Sequence, residues 1–145
     1  GTYDINHTHL LGYGKDNQSA VIGIKNYYNG IASGVNGTIT NSVIYGNQRF
    51  EVAFDTVNPN NDPTFINIAF KRCLIKLENG STSSMYQDGI IWNSNPQFTN
   101  VSESKFKPLS SSPLNNAGNS AYFLPTDIEG NSRDMNNPDI GAYEF

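Results

Sequence analysis

TITNSVIY (residues 38–45) is the phrase that decides the fold. A large apolar residue, Ile39, is followed three positions on by a small one, Ser42, and two further on by the β-branched Ile44. DINHTHLL (4–11) and AFKRCLIK (69–76) repeat the pattern, with Ile5, Thr8 and Leu10 in one and Phe70, Cys73 and Ile75 in the other. Ile5 and Ile39 are 34 residues apart, and Ile39 and Phe70 are 31 apart. A second alternating set follows: Ile22 and Ile24 after the first phrase, Val52 and Phe54 after the second, 30 residues apart. Alternation at period two is the mark of a strand.

Repeats of this length, with two or three short strands each, indicate a solenoid. No stretch keeps the helical i, i+3, i+4, i+7 spacing over three turns, which excludes helical repeats. Leucine is scarce, which excludes leucine-rich repeats. A parallel β-helix remains, and it predicts columns. Ile5 should lie under Ile39 and Ile39 under Phe70, with Thr8, Ser42 and Cys73 stacked at a bend. Corners need residues that tolerate left-handed backbone, and Asn26, Asn29, Asn47, Asn79 and Asn93 sit where strand phrases end. The competing arrangement is an antiparallel sandwich, with Asn36-Gly37 as a two-residue hairpin turn. Pro59 and Pro63 mark residues 58–63 as a loop. Residues 80–84 read as another.

The chain has 145 residues, enough for one domain with a core. Charged residues make up 15% of it, against about a quarter in typical soluble domains. Its polarity comes from Asn, Ser, Thr and Gly. A net charge of −4 argues against nucleic acid as a partner. No run of 18 apolar residues occurs, so no membrane-spanning helix is expected. The single cysteine, Cys73, reads as a small buried residue in its column. Sequons at Asn6, Asn17, Asn36, Asn79 and Asn100 arise easily in so Asn-rich a chain.

From Gly89 onward the motifs become specific. They are Asn95-Pro96-Gln97-Phe98, Lys105-Phe106-Lys107-Pro108-Leu109, Ser112-Pro113-Leu114 running to Ala117-Gly118, and the finish TDIEGNSR…PDIGAYEF. They resemble the closing coil and terminus of bacterial right-handed parallel β-helix (pectin-lyase-like) surface proteins from Bacteroides-like bacteria. The resemblance implies an all-β solenoid, with coils over residues 1–105 and a last coil and cap over 106–145. It implies an exported, extracellular or cell-surface protein, of which this chain is the C-terminal piece. It further implies a non-catalytic role in binding a glycan or a surface protein. A polysaccharide lyase or glycoside hydrolase with its groove mostly upstream, or a structural stalk, are the alternatives.

On this reading the tail covers the last strand edge. Arg133 would pair with Asp127, Asp139 or Glu144. Gly130 and Gly141 would allow tight turns, and Tyr143 and Phe145 would pack onto the last coil. Tyr3 opens a strand almost at once, so the N-terminal edge is expected to rest on upstream chain or on another protomer.

No catalytic motif is present. His7 and His9 alternate onto one side of a strand and could hold a metal with Asp4. The plainer reading is two partly exposed histidines on a coil face. Asp127, Glu129, Asn131 and Asp134 gather oxygens around Gly130, so calcium is the one cofactor considered. The plainer reading there is a turn tied by Arg133. Lyase-type candidates on the coils are Asp55, Asp88, Lys25, Arg49, Lys71 and Arg72. Tyr28, Tyr45 and Trp92 are candidate ligand contacts, since flat rings stack on the apolar faces of sugars. Tyr27 and Tyr28 would point to opposite sides, sending one to the core.

Overall fold

The computed structural model describes residues 1–14 and 19–145, which leaves the sequon at Asn17 outside. The first phrase gives β1 (Thr2–Asn6) and β2 (His9–Gly12). Strand β3 (Ile22–Lys25) follows, then a hairpin of β4 (Tyr27–Tyr28) and β5 (Ile31–Ala32). The second phrase gives β6 (Val35–Thr40) and β7 (Val43–Gly46), followed by β8 (Val52–Asp55). The third gives β9 (Ile66–Lys71) and β10 (Leu74–Ile75). The short strands β11 (Tyr86–Gln87) and β12 (Ile91–Trp92) come next, then the pair β13 (Phe98–Asn100) and β14 (Lys105–Pro108). The chain is all-β. Its helical elements among the described residues are two single 3₁₀ turns.

The phrases stack side by side and in parallel. One sheet runs β1-β6-β9-β11, a second β2-β7-β10-β12, and β3 pairs β8 in a third. Ile5 faces Ile39, and Ile39 faces Phe70. Leu10, Ile44 and Ile75 are aligned in the second sheet, Ile22 with Val52 and Ile24 with Phe54 in the third. Parallel pairing throughout these sheets removes the antiparallel sandwich. Ile39, Ile44, Val52, Phe70, Cys73 and Ile75 form one buried cluster between the three sheets. Each such side chain contributes about 1.5–3 kcal/mol on burial. The fourth layer is not signalled by the interval, because Phe70 and Tyr86 are partners only 16 positions apart. The Asn79-Gly80 turn, both residues at positive φ, returns the chain without a third strand.

A bend separates the two strands of every phrase, and the same column makes it each time. His7, Asn41, Arg72 and Asp88 have φ of 47°, 41°, 54° and 59°. Their neighbours in register place them one above another. A non-glycine residue in this region costs roughly 1–2 kcal/mol. The layers compensate with hydrogen bonds: the amides of His7, Asn41 and Arg72 donate to the carbonyls of Thr40, Lys71 and Gln87 in the next layer. The small column beside it caps the same bend. Thr8 Oγ1, Ser42 Oγ and Cys73 Sγ each donate to the carbonyl two residues back, those of Asn6, Thr40 and Lys71. Burial pushes the Cys73 thiol up to about 12, so it is inert at neutral pH.

Several corner expectations need correction. Asn29, Asn79 and Asn93 do adopt positive φ, but Asn26 and Asn47 do not. Asn36-Gly37 lies inside β6, while Asn29-Gly30 forms the two-residue hairpin turn between β4 and β5. At Gly37 a Cβ would sit 3.0 Å from Ile68 Cδ1, so this glycine serves packing.

The tail also differs from expectation. It straps the outer face of the second sheet rather than lying over the last strand edge. Leu114 and Ile140, both fully buried, pack on Val43, Leu74 and Phe98. The strap touches every layer. Tyr122 O accepts from Asn6, Asn119 exchanges bonds with Asn41, Ala117 O accepts from Arg72, and Asn119 Nδ2 donates to Asp88. Val43 and Leu74 therefore face the strap while Ile44 and Ile75 face the interior. A sheet buried on both faces has strands that read as continuous apolar runs, as "VI" and "LI" do here. At the far end of the stack, Trp92 is set edge-on to Tyr86 at 5.0 Å.

Glu51 is fully buried, and its carboxylate accepts from the amides of Val21 and Gln48. Gly46 makes room for it, since a Cβ there would lie 2.4 Å from Glu51 Oε1 and 2.7 Å from Gly12 Cα.

Asn41 combines the bend with the strap, and urea denaturation separates the two roles. Asn41→Gly keeps the backbone but loses the side-chain bonds, at a cost of about 2–3 kcal/mol. Asn41→Ala loses both and costs about 1–2 kcal/mol more. Equal stability of the two variants would show an unstrained bend. Cys73→Ser, which keeps a donor in the column, costs under about 1 kcal/mol.

Candidate functional site

The Asn29-Gly30 turn, with φ of 48° and 77°, folds β4 back on β5 and pairs Tyr27 with Ala32 and Tyr28 with Ile31. Positive φ at both central residues is what a two-residue hairpin of this twist requires. A two-stranded hairpin is marginal alone, and buried Asn26 anchors this one. Its amide donates to Ser33 O and to Val57 O at 2.8 Å, and its Oδ1 accepts from Val57 N. Asn26 thus ties the hairpin to the chain just beyond β8.

The hairpin holds its apolar side chains out of the core. Tyr28 is 78% exposed, Ile31 73%, and Tyr3 on neighbouring β1 58%. With Lys25, Asn26, Tyr27 and Ser33 they line an open cleft of about 430 Å³. The polar part of the site is built. Tyr27 OH donates to Asp55 Oδ1 at 2.8 Å, and Lys25 Nζ lies 3.1 Å from Asp55 Oδ2 and 4.4 Å above the Tyr27 ring. The Tyr27 hydroxyl, then Lys25, hold the Asp55 carboxyl below its usual range. The Asp55 hydrogen bond holds the Lys25 ammonium above its own. The pair stays charged across neutral pH, offering one donor and one acceptor group beside exposed rings.

The other candidates lie elsewhere. Neither Tyr27 nor Tyr28 enters the core. Tyr45 is half-buried on β7, beneath Lys76 Nζ at 5.1 Å and beside Tyr13. Trp92 is half-buried against Gly80 and Tyr86. Tyr28, Tyr45 and Trp92 therefore belong to three separate neighbourhoods. Of the lyase-type candidates, Lys25 and Asp55 meet. Arg49 pairs with Glu78, Arg72 holds Ala117 O, and Asp88 accepts from Asn119. Lys71 lies half-buried on β9. A second cavity, of about 380 Å³ and lined by Ile5, Leu10, Ile22, Ile24 and Ile39, opens at the end of the core beside Tyr3. Lys25 is its one charged lining residue, so little there could orient a ligand.

His7 and His9 are not on one strand face. Positive φ at His7 ends β1, and β2 begins only at His9. Both lie under the strap, and Asp4 is exposed on β1. No group of three or more His, Cys, Asp and Glu side chains gathers at metal-binding distance among the described residues. His7 Nε2 lies 3.1 Å from the Asn41 amide nitrogen, and His9 packs between the tilted rings of Phe98 and Tyr143. Burial, and after it the Arg133 charge, lower both imidazoles to about 4.

The turn around Gly130 spends its oxygens on protein donors. Asp127 Oδ1 accepts from the amides of Glu129 and Asn131, and Oδ2 accepts from Asn131 Nδ2 and Glu144 N. Burial opposes the Asp127 charge, but these bonds outweigh it and hold the carboxyl below its usual range. Glu129 takes Lys107, and Asp134 accepts from the amides of Asn136 and Asn137. Calcium fits this turn poorly. Of the three carboxylates that could meet Arg133, Glu144 is the one in contact, at 3.0 Å. The same guanidinium donates to the carbonyls of Tyr143 and Gly141. Asp139 accepts from Asn116 N instead, and burial raises it to about 6.

No family model matches the sequence, and neither a curated protein nor a solved structure matches it. No helix among the described residues is long and apolar enough to cross a membrane.

The Arg133 side chain is 1% exposed, so removing it strands Glu144. Arg133→Ala should cost about 3–5 kcal/mol in chemical denaturation. Arg133→Lys should recover only part, because a lysine cannot reach three acceptors with one planar fork.

Proposed function

We propose that this chain is part of a right-handed parallel β-helix of the pectin-lyase-like surface type, a non-catalytic module that binds glycan at the hairpin cleft. The solenoid reading is supported by three parallel sheets around one interior, with residues 30 to 34 positions apart in register across the first layers. The binding reading is carried by one observation. Tyr27, Tyr28 and Tyr3 line a single cleft with Lys25, and Asp55 holds both Lys25 and the Tyr27 hydroxyl in place behind it. Exposed rings offer flat apolar area to the C–H faces of a pyranose, and the charged pair offers both hydrogen-bond polarities to its hydroxyls. An exported, extracellular or cell-surface location goes with this reading.

The end formed by β1, β2 and β3 fits the same proposal. Each is an edge strand of its sheet, and the apolar cavity opens between them. Unpaired strand edges accept further strands. This end receives another coil, from the same polypeptide or from a second protomer. Strands added at β1 would lie against Tyr3 and form a wall of the cleft.

Glycan-array screening followed by calorimetry tests the cleft. Tyr28→Ala should weaken binding of the best glycan about 2- to 12-fold, since stacking of this kind is worth about 0.5–1.5 kcal/mol. The melting temperature should stay within about 2 °C, because the Tyr28 ring is outside the core. Trp92→Ala should instead lower stability without a specific loss of binding. No glycan bound by the wild type, or binding indifferent to Tyr28, removes the reading.

A further inference from the structure

The two histidines beneath the strap do nothing for a glycan site, yet they lie between the bend column and the strap. Asn41 is fully buried and every polar group on its side chain is committed. Its Oδ1 accepts from Asn119 N at 2.8 Å, and its amide donates to Asn119 O at 3.0 Å and faces His7 Nε2 at 3.1 Å. His7 Nε2 must therefore be the unprotonated acceptor, with the proton on Nδ1. Nδ1 has no partner in hydrogen-bond geometry. Protonating His7 sets an N–H against the Asn41 NH₂. Turning the amide over relieves that clash only by setting the NH₂ against Asn119 N. Either way a bond between sheet and strap is lost.

His9 is constrained differently. Its ring centroid lies 5.1 Å from Phe98 and 5.5 Å from Tyr143, and neither ring nitrogen has a partner. Gly141, at φ of 104°, passes so close that a Cβ would sit 2.1 Å from His9 Nε2. A proton there is a buried charge with no acceptor. Both rings border one cavity of about 620 Å³ with Asp127, Arg133 and Tyr143 of the strap.

We propose that His7 and His9 form an acid-sensitive latch, whose protonation releases the strap, residues 114–145, from the outer face of the β2-β7-β10-β12 sheet. The charged groups around the latch set its sign. From the strap these are Arg133 with Glu144, Asp127 and Asp139. Lys107 with Glu129 lies over Tyr143, and Arg72 and Asp88 hold the strap from the bend column. Arg133 repels a proton on either imidazole. The carbonyls of Gly141, Asp139 and Tyr122 favour one on His7, but less than burial opposes it. Closed, the histidines titrate at about 4, and released, near 6.5, so release takes up two protons across that window. Asp139 works against this, since it holds a proton below about 6 only while closed. The two histidines take up about one proton at pH 6.5 and nearly two by pH 5, and with Asp139 subtracted net uptake stays at about one proton from just below pH 6.5 down to pH 5.

Hydrogen exchange of the whole chain, corrected for intrinsic rates, tests the latch. The strap amides of Asp127, Ile128, Ile140 and Gly141 all donate to backbone carbonyls. Their protection should fall roughly 100-fold or more from pH 7 to pH 4, while strands β6 and β7 keep theirs. In the double variant His7→Asn, His9→Phe the sign should reverse, leaving Asp139 to tighten the strap in acid. Asparagine tolerates the positive φ at position 7, and phenylalanine suits the aromatic surroundings of position 9. A wild-type strap equally protected at pH 4 and pH 7, or a double variant that loosens in acid as the wild type does, overturns the proposal. Should the double variant fail to fold, proton NMR titration of the wild type decides. Histidines neutral until the strap opens support the latch, and histidines titrating near 6.5 under a protected strap refute it.

Discussion

Everything in this molecule turns on one bend repeated in four layers. His7, Asn41, Arg72 and Asp88 all occupy the left-handed region, where side chains other than glycine and asparagine fit badly. No single residue supplies the geometry. The corner is imposed by the layers above and below, through amides that donate to the next layer's carbonyls and hydroxyls or a thiol that cap the carbonyl two residues back. Strain of this size persists only where the surroundings over-determine it. The bend carries each phrase from the first sheet into the second, so it sets the shape of the interior that Ile39, Phe70, Ile44 and Ile75 fill.

Because the bend column protrudes, it is also where the strap is fastened. Asn41, Arg72 and Asp88 each reach a strap residue between Ala117 and Asn119. His7 reaches the strap through Asn41. The second sheet is then buried on both faces, and its outward residues Val43 and Leu74 find Leu114 and Ile140. Arg133 does for the strap what the bend does for the layers. It gathers Glu144 and the carbonyls of Gly141 and Tyr143 into one buried knot. The consequence is a strap held by polar bonds at a few points, over an apolar seam and two neutral imidazoles.

The columns were legible in the sequence because period-two alternation and a near-constant interval survive in TITNSVIY and its two relatives. The layer at Tyr86 was not, because its interval shrinks to half and its strands have two residues each. The hairpin was missed although its signal was present. Asn29-Gly30 lies between Tyr27-Tyr28 and Ile31-Ala32, whereas Asn36-Gly37 lies in a longer apolar alternation that a strand absorbs. Position on the strap was hidden for a different reason. A tail's motifs show that it packs, but Leu114 and Ile140 fit an end or a side equally well until Val43 and Leu74 are known to face outward. Asn41 was hidden too. It sits where the first phrase has His7, and only the stacking reveals that both occupy the bend.

Stacking also explains the scarcity of charge. Side chains in register lie about 4.8 Å apart up a column, so like charges in one column repel at every layer. The exposed columns solve this in two ways. Asn67 donates to Asn36 across layers, a neutral ladder. Lys25 lies directly opposite Asp55 in the β3–β8 register, and Arg49 meets Glu78 one layer on. The ion pair at the cleft is thus first of all a product of the fold, formed where two layers put opposite charges in register. What makes it more than a surface pair is the hairpin beside it. Asn26 holds the hairpin to the next layer's chain, so Tyr27 closes over the pair and Tyr28 is left facing solvent. Moving the turn by one residue would exchange the two rings, since neighbours on a strand face opposite ways.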